Sequence, residues 1–137
     1  MPNTAPSEQP RINISQSSRA ERHTDGLWRV SFRIENASEA PIVLLAAWLP
    51  HGRFRCEEQP LGGMPPMPPG GEAQLTFPVA FNEEPGTAVE NTFVILRLTW
   101  RDGTWRVLVR FTVTALEDGA PDARTELITV HPIGFAP

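Results

Sequence analysis

The stretch LWRVSFRIEN, residues 27–36, constrains the fold more than any other. Trp28, Val30, Phe32 and Ile34 alternate with Arg29, Ser31, Arg33 and Glu35. Strict alternation over eight residues requires a strand with one dry and one wet face. Period two recurs in INIS (Ile12, Ile14) and in EAQLTFPVAF, where Ala73, Leu75, Phe77, Val79 and Phe81 share a face. Pro78 falls on the opposite face of that segment and places it at a sheet edge, because proline cannot donate to a ladder. IVLLAAWL (Ile42–Leu49) is apolar on both parities, so both its faces should be covered. HGRFRCEEQPL is ambiguous and compatible with a short edge strand.

Between these runs lie segments that bend the chain. Fifteen prolines and ten glycines cluster in loops such as NASEAP, GGMPPMPPGG (Gly62–Gly71), NEEPGTAVEN and EDGAPDAR, a punctuation that suits short strands. TELITVHPIGFAP offers one more short strand and a tail. No useful stretch repeats every 3.6 residues. A chain of 137 residues with 40% hydrophobic content fits one domain with a real core. The expected organisation is a Pro-rich arm over 1–10, a β-sandwich over 11–130 and a tail over 131–137.

RLTWRDGTWRVLVRF, residues 97–111, carries the functional question. Asp102-Gly103 reads as a two-residue hairpin turn, since a type I′ turn favours such a pair. That register sets Trp100 opposite Trp105, Leu98 opposite Val107, Leu96 opposite Val109 and Val94 opposite Phe111, all on a core face. The other face pairs Arg97 with Leu108, Thr99 with Arg106, Ile95 with Arg110 and Phe93 with Thr112. No two arginines then oppose each other directly, although Arg97 lies diagonal to Arg106 and Arg110. Like charges at that range repel unless a carboxylate or anion intervenes. A solvated face whose arginine stems cover the apolar residues is the plainest reading. Apolar anchors mixed with arginine also match interface composition, and an anionic ligand is a third possibility. The expectation is that Phe93, Ile95, Arg97, Arg106, Leu108 and Arg110 meet protein, through self-association or in a larger assembly.

Other classes are less well supported. A net charge of −4 and a pI near 5.3 speak against a general nucleic-acid binder. No apolar run reaches membrane-spanning length and no leader pattern opens the chain, so no membrane insertion and cytoplasmic residence are expected. The single Cys56 forms no intrachain disulfide. All twelve basic residues are arginine, which reflects either a GC-rich genome or a need for bidentate contacts. No phosphate loop, nucleophile elbow or CxxC zinc pair is present. His23, His51 and His131 are scattered, and Glu57-Glu58 and Glu83-Glu84 read as solvated charges. The expectation is therefore of no catalysis and no cofactor. One alternative is a small-ligand or copper(I) carrier using the soft donors His51, Cys56, Met64 and Met67. The four tryptophans, 28, 48, 100 and 105, phase to the core face.

WRVSFRIENASEAPIVLLAAWL, followed by PPGGEAQLTFPV, resembles bacterial immunoglobulin-like and fibronectin-type-III-like domains over roughly residues 27–115. The resemblance implies an all-β, two-sheet antiparallel immunoglobulin-like sandwich of seven to nine strands. It implies no activity.

Overall fold

A computed structural model describes residues 8–133, so most of the N-terminal arm and the last residues of the tail lie outside the described residues. Nine strands and no α-helix occur among the described residues: β1 (Ile12–Gln16), β2 (Glu21–Arg22), β3 (Trp28–Asn36), β4 (Ile42–His51), β5 (Phe54–Pro60), β6 (Glu72–Val79), β7 (Ala88–Trp100), β8 (Gly103–Ala115) and β9 (Pro121–Ile133). They form two antiparallel sheets. In one, β6 pairs with β3 from Trp28 to Glu35, so β1 and β2 share the other edge of β3. The second sheet has the order β5-β4-β7-β8-β9.

Alternation does what the sequence demands of it. Val30, Phe32, Ile34, Leu75, Phe77, Leu96, Leu98, Val107 and Val109 all lie in one buried cluster between the sheets. Phe32 sits centrally, its ring 5.9 Å from Phe77 within its own sheet and 5.4 Å from Phe111 across the core. Pro78 does sit on an edge strand, β6, opposite Arg29. Trp28, Trp100 and Trp105 are core residues, and Trp28 donates its indole N–H to the Phe81 carbonyl at 3.1 Å.

Both flanks of the sandwich are joined. At one flank β5 meets β6 through the Arg55–Ala80 bridge. At the other, the Gln16 side-chain amide acts like a peptide group between β1 and β9. Its oxygen accepts from Ala123 N at 2.7 Å and its nitrogen donates to Pro121 O at 3.3 Å. Thr125 Oγ1 adds a bond to Ile14 O at 2.8 Å.

Asn36 ties the end of β3 to two loops. Fully buried, it donates from Nδ2 to the carbonyls of Ala40 and Met67, both at 2.9 Å, and accepts from Ser38 N at 2.8 Å. The proline-rich loop is thereby held against β4, where Met67 and Ile42 exchange backbone hydrogen bonds.

The hairpin differs from expectation. Trp100 faces Gly103, Leu98 faces Trp105 and Leu96 faces Val107, so the turn is Arg101-Asp102, not Asp102-Gly103. Arg101 takes the left-handed conformation, φ 55°, with its guanidinium 4.6 Å over the Trp100 ring and 3.8 Å from Glu39. Gly103 opposite Trp100 leaves room for Trp105, whose ring meets Trp100 edge-on at 6.1 Å. A two-residue slip keeps every side chain on its expected face, whereas a one-residue slip would invert them. Two further boundaries move: AVEN belongs to β7, and β9 starts at Pro121 and runs for 13 residues.

Candidate interaction face

The outer face of the five-stranded sheet is built in rows across β4, β7, β8 and β9. The first holds Ala46, Arg97, Arg106 and His131; the second, Trp48, Ile95, Leu108 and Thr129. The third row is Phe93, Arg110 and Leu127, and the fourth sets Thr112 beside Arg124 and a bulge in β7 at Glu90-Asn91. Rows lie about 7 Å apart, twice the rise per residue. All six residues expected at an interface share this face. Five are half-buried and Arg106 is exposed.

Two expectations about this face are corrected. Arg97 lies directly opposite Arg106, because the slipped register brings them level. Like charges so placed repel, and Arg97 is relieved by Glu58 of β5, 3.4 Å away. Arg106 and Arg110 make no ion pair among the described residues. Trp48 is the second correction. It pairs with Ile95 and so projects outward, half-buried, while its neighbours Ala47 and Leu49 fill the core. A bulge in β4 at Leu45 sets this phase. IVLLAAWL is thus covered on its inner face, but Val43, Leu45 and Trp48 remain partly open to solvent.

Sequence reasoning missed the β9 contribution to this face. Leu127 is 47% exposed, the one large apolar residue so exposed among the described residues. Bulges in β7 at Glu90-Asn91 and in β9 at Glu126 flank β8 and open a shallow cleft of about 360 Å³, lined by Glu90, Asn91, Arg110, Thr112 and Glu126. Asn91 takes φ 58° at the bulge, a conformation asparagine tolerates better than most residues. Glu90 and Glu126 therefore share the cleft with Arg110, whereas Arg106 and the Glu58-paired Arg97 lie farther along the face.

The soft donors of the carrier alternative do not converge. Met67 bridges to Ile42 at one end of β4 and His51 occupies the other end, roughly 25–30 Å away at the rise of a strand. Met67 is buried in the core, and Cys56 is buried opposite Leu49. Burial pushes the Cys56 thiol above its ordinary range, and a bond from Gln59 opposes that only in part. His51 Nδ1 accepts from Arg53 N at 3.0 Å, which engages one of its two ring nitrogens. Glu83 binds Arg53 at 2.6 and 3.0 Å, and that pairing holds its carboxyl below the usual range.

Among the described residues no three His, Cys, Asp or Glu side chains gather as a metal site. No helix there is long and apolar enough to cross a membrane. No protein-family model matches this chain, and neither do any curated protein or solved structure.

Proposed function

We propose that this chain is a non-catalytic, immunoglobulin-like association module whose outer β4–β7–β8 face binds protein. The observation that carries the reading is one surface where Trp48, Phe93, Ile95 and Leu108 stand between Arg97, Arg106 and Arg110. Aromatic anchors and arginine are enriched in protein interfaces, while lysine is depleted. Apposed arginines are a cost in the isolated chain, and a partner that supplies carboxylates converts it into a contact.

Strand order supports the immunoglobulin-like assignment. With β1, β3 and β6 read as strands A, B and E, and β5, β4, β7 and β8 as C′, C, F and G, the two sheets follow that pattern. β9 is an addition beside G. It widens the outer face.

The test is association of the wild type against Arg97→Glu/Arg110→Glu, by light scattering and by affinity capture from extracts of the native cells. Arg97→Glu loses the Glu58 pair and Arg110→Glu adds a third carboxylate to the cleft, a cost of about 1–2 kcal/mol that leaves the variant folded while binding is lost. A monomeric wild type, with no captured protein sensitive to the double change, refutes the reading.

A further inference from the structure

The arrangement of charge along the outer face identifies its occupant. Arg97 and Arg106 occupy the first row, whereas Glu90 and Glu126 flank the cleft by the fourth. Two apolar-rich rows lie between. Although Arg110 shares that cleft and Glu58 pairs with Arg97, turning such a face end for end brings the arginine row over Glu90 and Glu126.

A second copy laid face to face is related by a two-fold axis in the plane of the interface, and two directions respect the strands. An axis along the strands keeps the rows in place and sets the arginine row over itself. An axis across the strands, passing between the second and third rows, reverses them. Arg97 then lies over Glu90 of the second copy, and Arg106 over Thr112 with Glu90 and Glu126 to either side. Ile95 meets Phe93, Thr129 meets Leu127, and Leu108 meets the stem of Arg110. Arg124 shares the fourth row, but its counterpart is His131, not an arginine. Every contact occurs twice.

We infer that the chain forms an isologous, face-to-face dimer about this cross-strand axis, with Arg97 and Arg106 of each copy paired to Glu90 and Glu126 of the other. The inference rests on the reading of the outer face as a protein-binding surface and specifies its partner. Strands β7 to β9 carry 13 residues each and overlie their counterparts as a strip of roughly 40 by 14 Å, or about 600 Å². That is the lower end of what a standard-size interface takes from each partner.

Sedimentation velocity on the intact chain, up to millimolar concentration, tests this with two charge-reversed variants. Arg97→Glu/Arg106→Glu and Glu90→Arg/Glu126→Arg each set like charges together, and each raises the dimer Kd by about 100-fold or more. Mixing the two variants restores association as a heterodimer, since reversed arginines then face reversed glutamates at one end while the wild-type pairing is kept at the other. Restoration also establishes that both variants are folded. A mixture that stays monomeric, or a dimer that survives either reversal, overturns the arrangement. Leu108→Asp separates that failure from failure of the underlying reading. If it dissociates the wild-type dimer while the mixture stays apart, the face binds protein in another geometry. If the dimer survives Leu108→Asp too, both inferences fall. A wild type that is monomeric throughout overturns the self-pairing and leaves the face to a different protein.

Discussion

Replacing Asn36 by alanine removes three hydrogen bonds from a fully buried site at the junction of β3, the following turn and the proline-rich loop. Each such bond contributes about 1 kcal/mol net, and each buried partner left unsatisfied costs about 1–3 kcal/mol. The buried Ser38 N–H loses its acceptor, whereas the Met67 carbonyl keeps its bond from Ile42 N, so two bonds and one unsatisfied donor sum to about 3–4 kcal/mol. That is a large part of the roughly 5–15 kcal/mol that holds a domain together. With a urea m value of about 2 kcal/mol/M, the unfolding midpoint falls by about 1.5–2 M. Asn36→Asp is worse at neutral pH, because an ionised carboxylate then faces the Ala40 and Met67 carbonyls in place of two donors. Its native pKa lies above the unfolded value, so the deficit grows as pH rises past about 4 and shrinks on acidification. Asn13, whose amide makes one long bond to Glu35 at the surface, is the control, and its alanine variant shifts stability by no more than about 0.5 kcal/mol. An Asn36→Ala cost below about 1 kcal/mol, or an Asp variant as stable as wild type at neutral pH, refutes the argument.

Phe32→Ala empties the centre of the core and costs about 3–5 kcal/mol in the same urea assay, whereas Phe93→Ala on the outer face costs under about 1.5 kcal/mol; equal losses would mean the faces are misassigned. Gly71→Ala brings a Cβ to 2.9 Å from the Pro68 carbonyl oxygen, and a loss of about 1–3 kcal/mol is expected from that overpacking; an unchanged melting temperature would contradict it. Asp25, Glu83 and Asp118 are held below the ordinary carboxylate range, the first two chiefly by hydrogen bonds from Arg29 and Arg53, the third by the Ala120 N–H. Their contribution is complete above the unfolded value of about 4 and is lost as pH falls through the lower native values. Acid titration of the urea midpoint should therefore be flatter for Asp25→Asn/Glu83→Gln/Asp118→Asn. Cys56, buried and with a raised thiol pKa, should react with a disulfide reagent at mild alkaline pH only as fast as the chain opens, so added urea accelerates labelling; fast reaction of the folded protein is the adverse result.

Alternation made the two-layer core legible from the residues alone, because a buried face leaves little choice of phase in Trp28–Ile34 or Val94–Trp100. It also placed the six outer-face residues together. What it could not distinguish was two registers with the same parity. Asp102-Gly103 signalled one turn, and packing of Trp105 against Trp100 beside the small Gly103 selected another. That slip makes Arg97 and Arg106 direct neighbours. Trp48 escaped for a related reason: an all-apolar strand has no phase of its own, and a bulge at Leu45 decides which residues point outward. β9 carries polar residues on both faces and a proline at each end, so its period is weak, and its place is set by long pairing with β8. The roles of Asn36 and Gln16 depend on carbonyls distant in sequence, and no local pattern announces such bonds.

The seam between β1 and β9 implies an order of events as the chain takes shape. Its bonds join residues 105 to 111 positions apart, and closing so long a loop costs about 2 kcal/mol more than closing one of ten residues. The β7–β8–β9 meander needs only short connections and forms before that closure is worthwhile. During synthesis β1 and β3 emerge early and pair with each other, yet one side of β1 waits until Pro121, Ala123 and Thr125 have left the ribosome. Gln16 then completes the circuit with a side chain. The seam is therefore expected to assemble late and to open early, without disturbing either sheet.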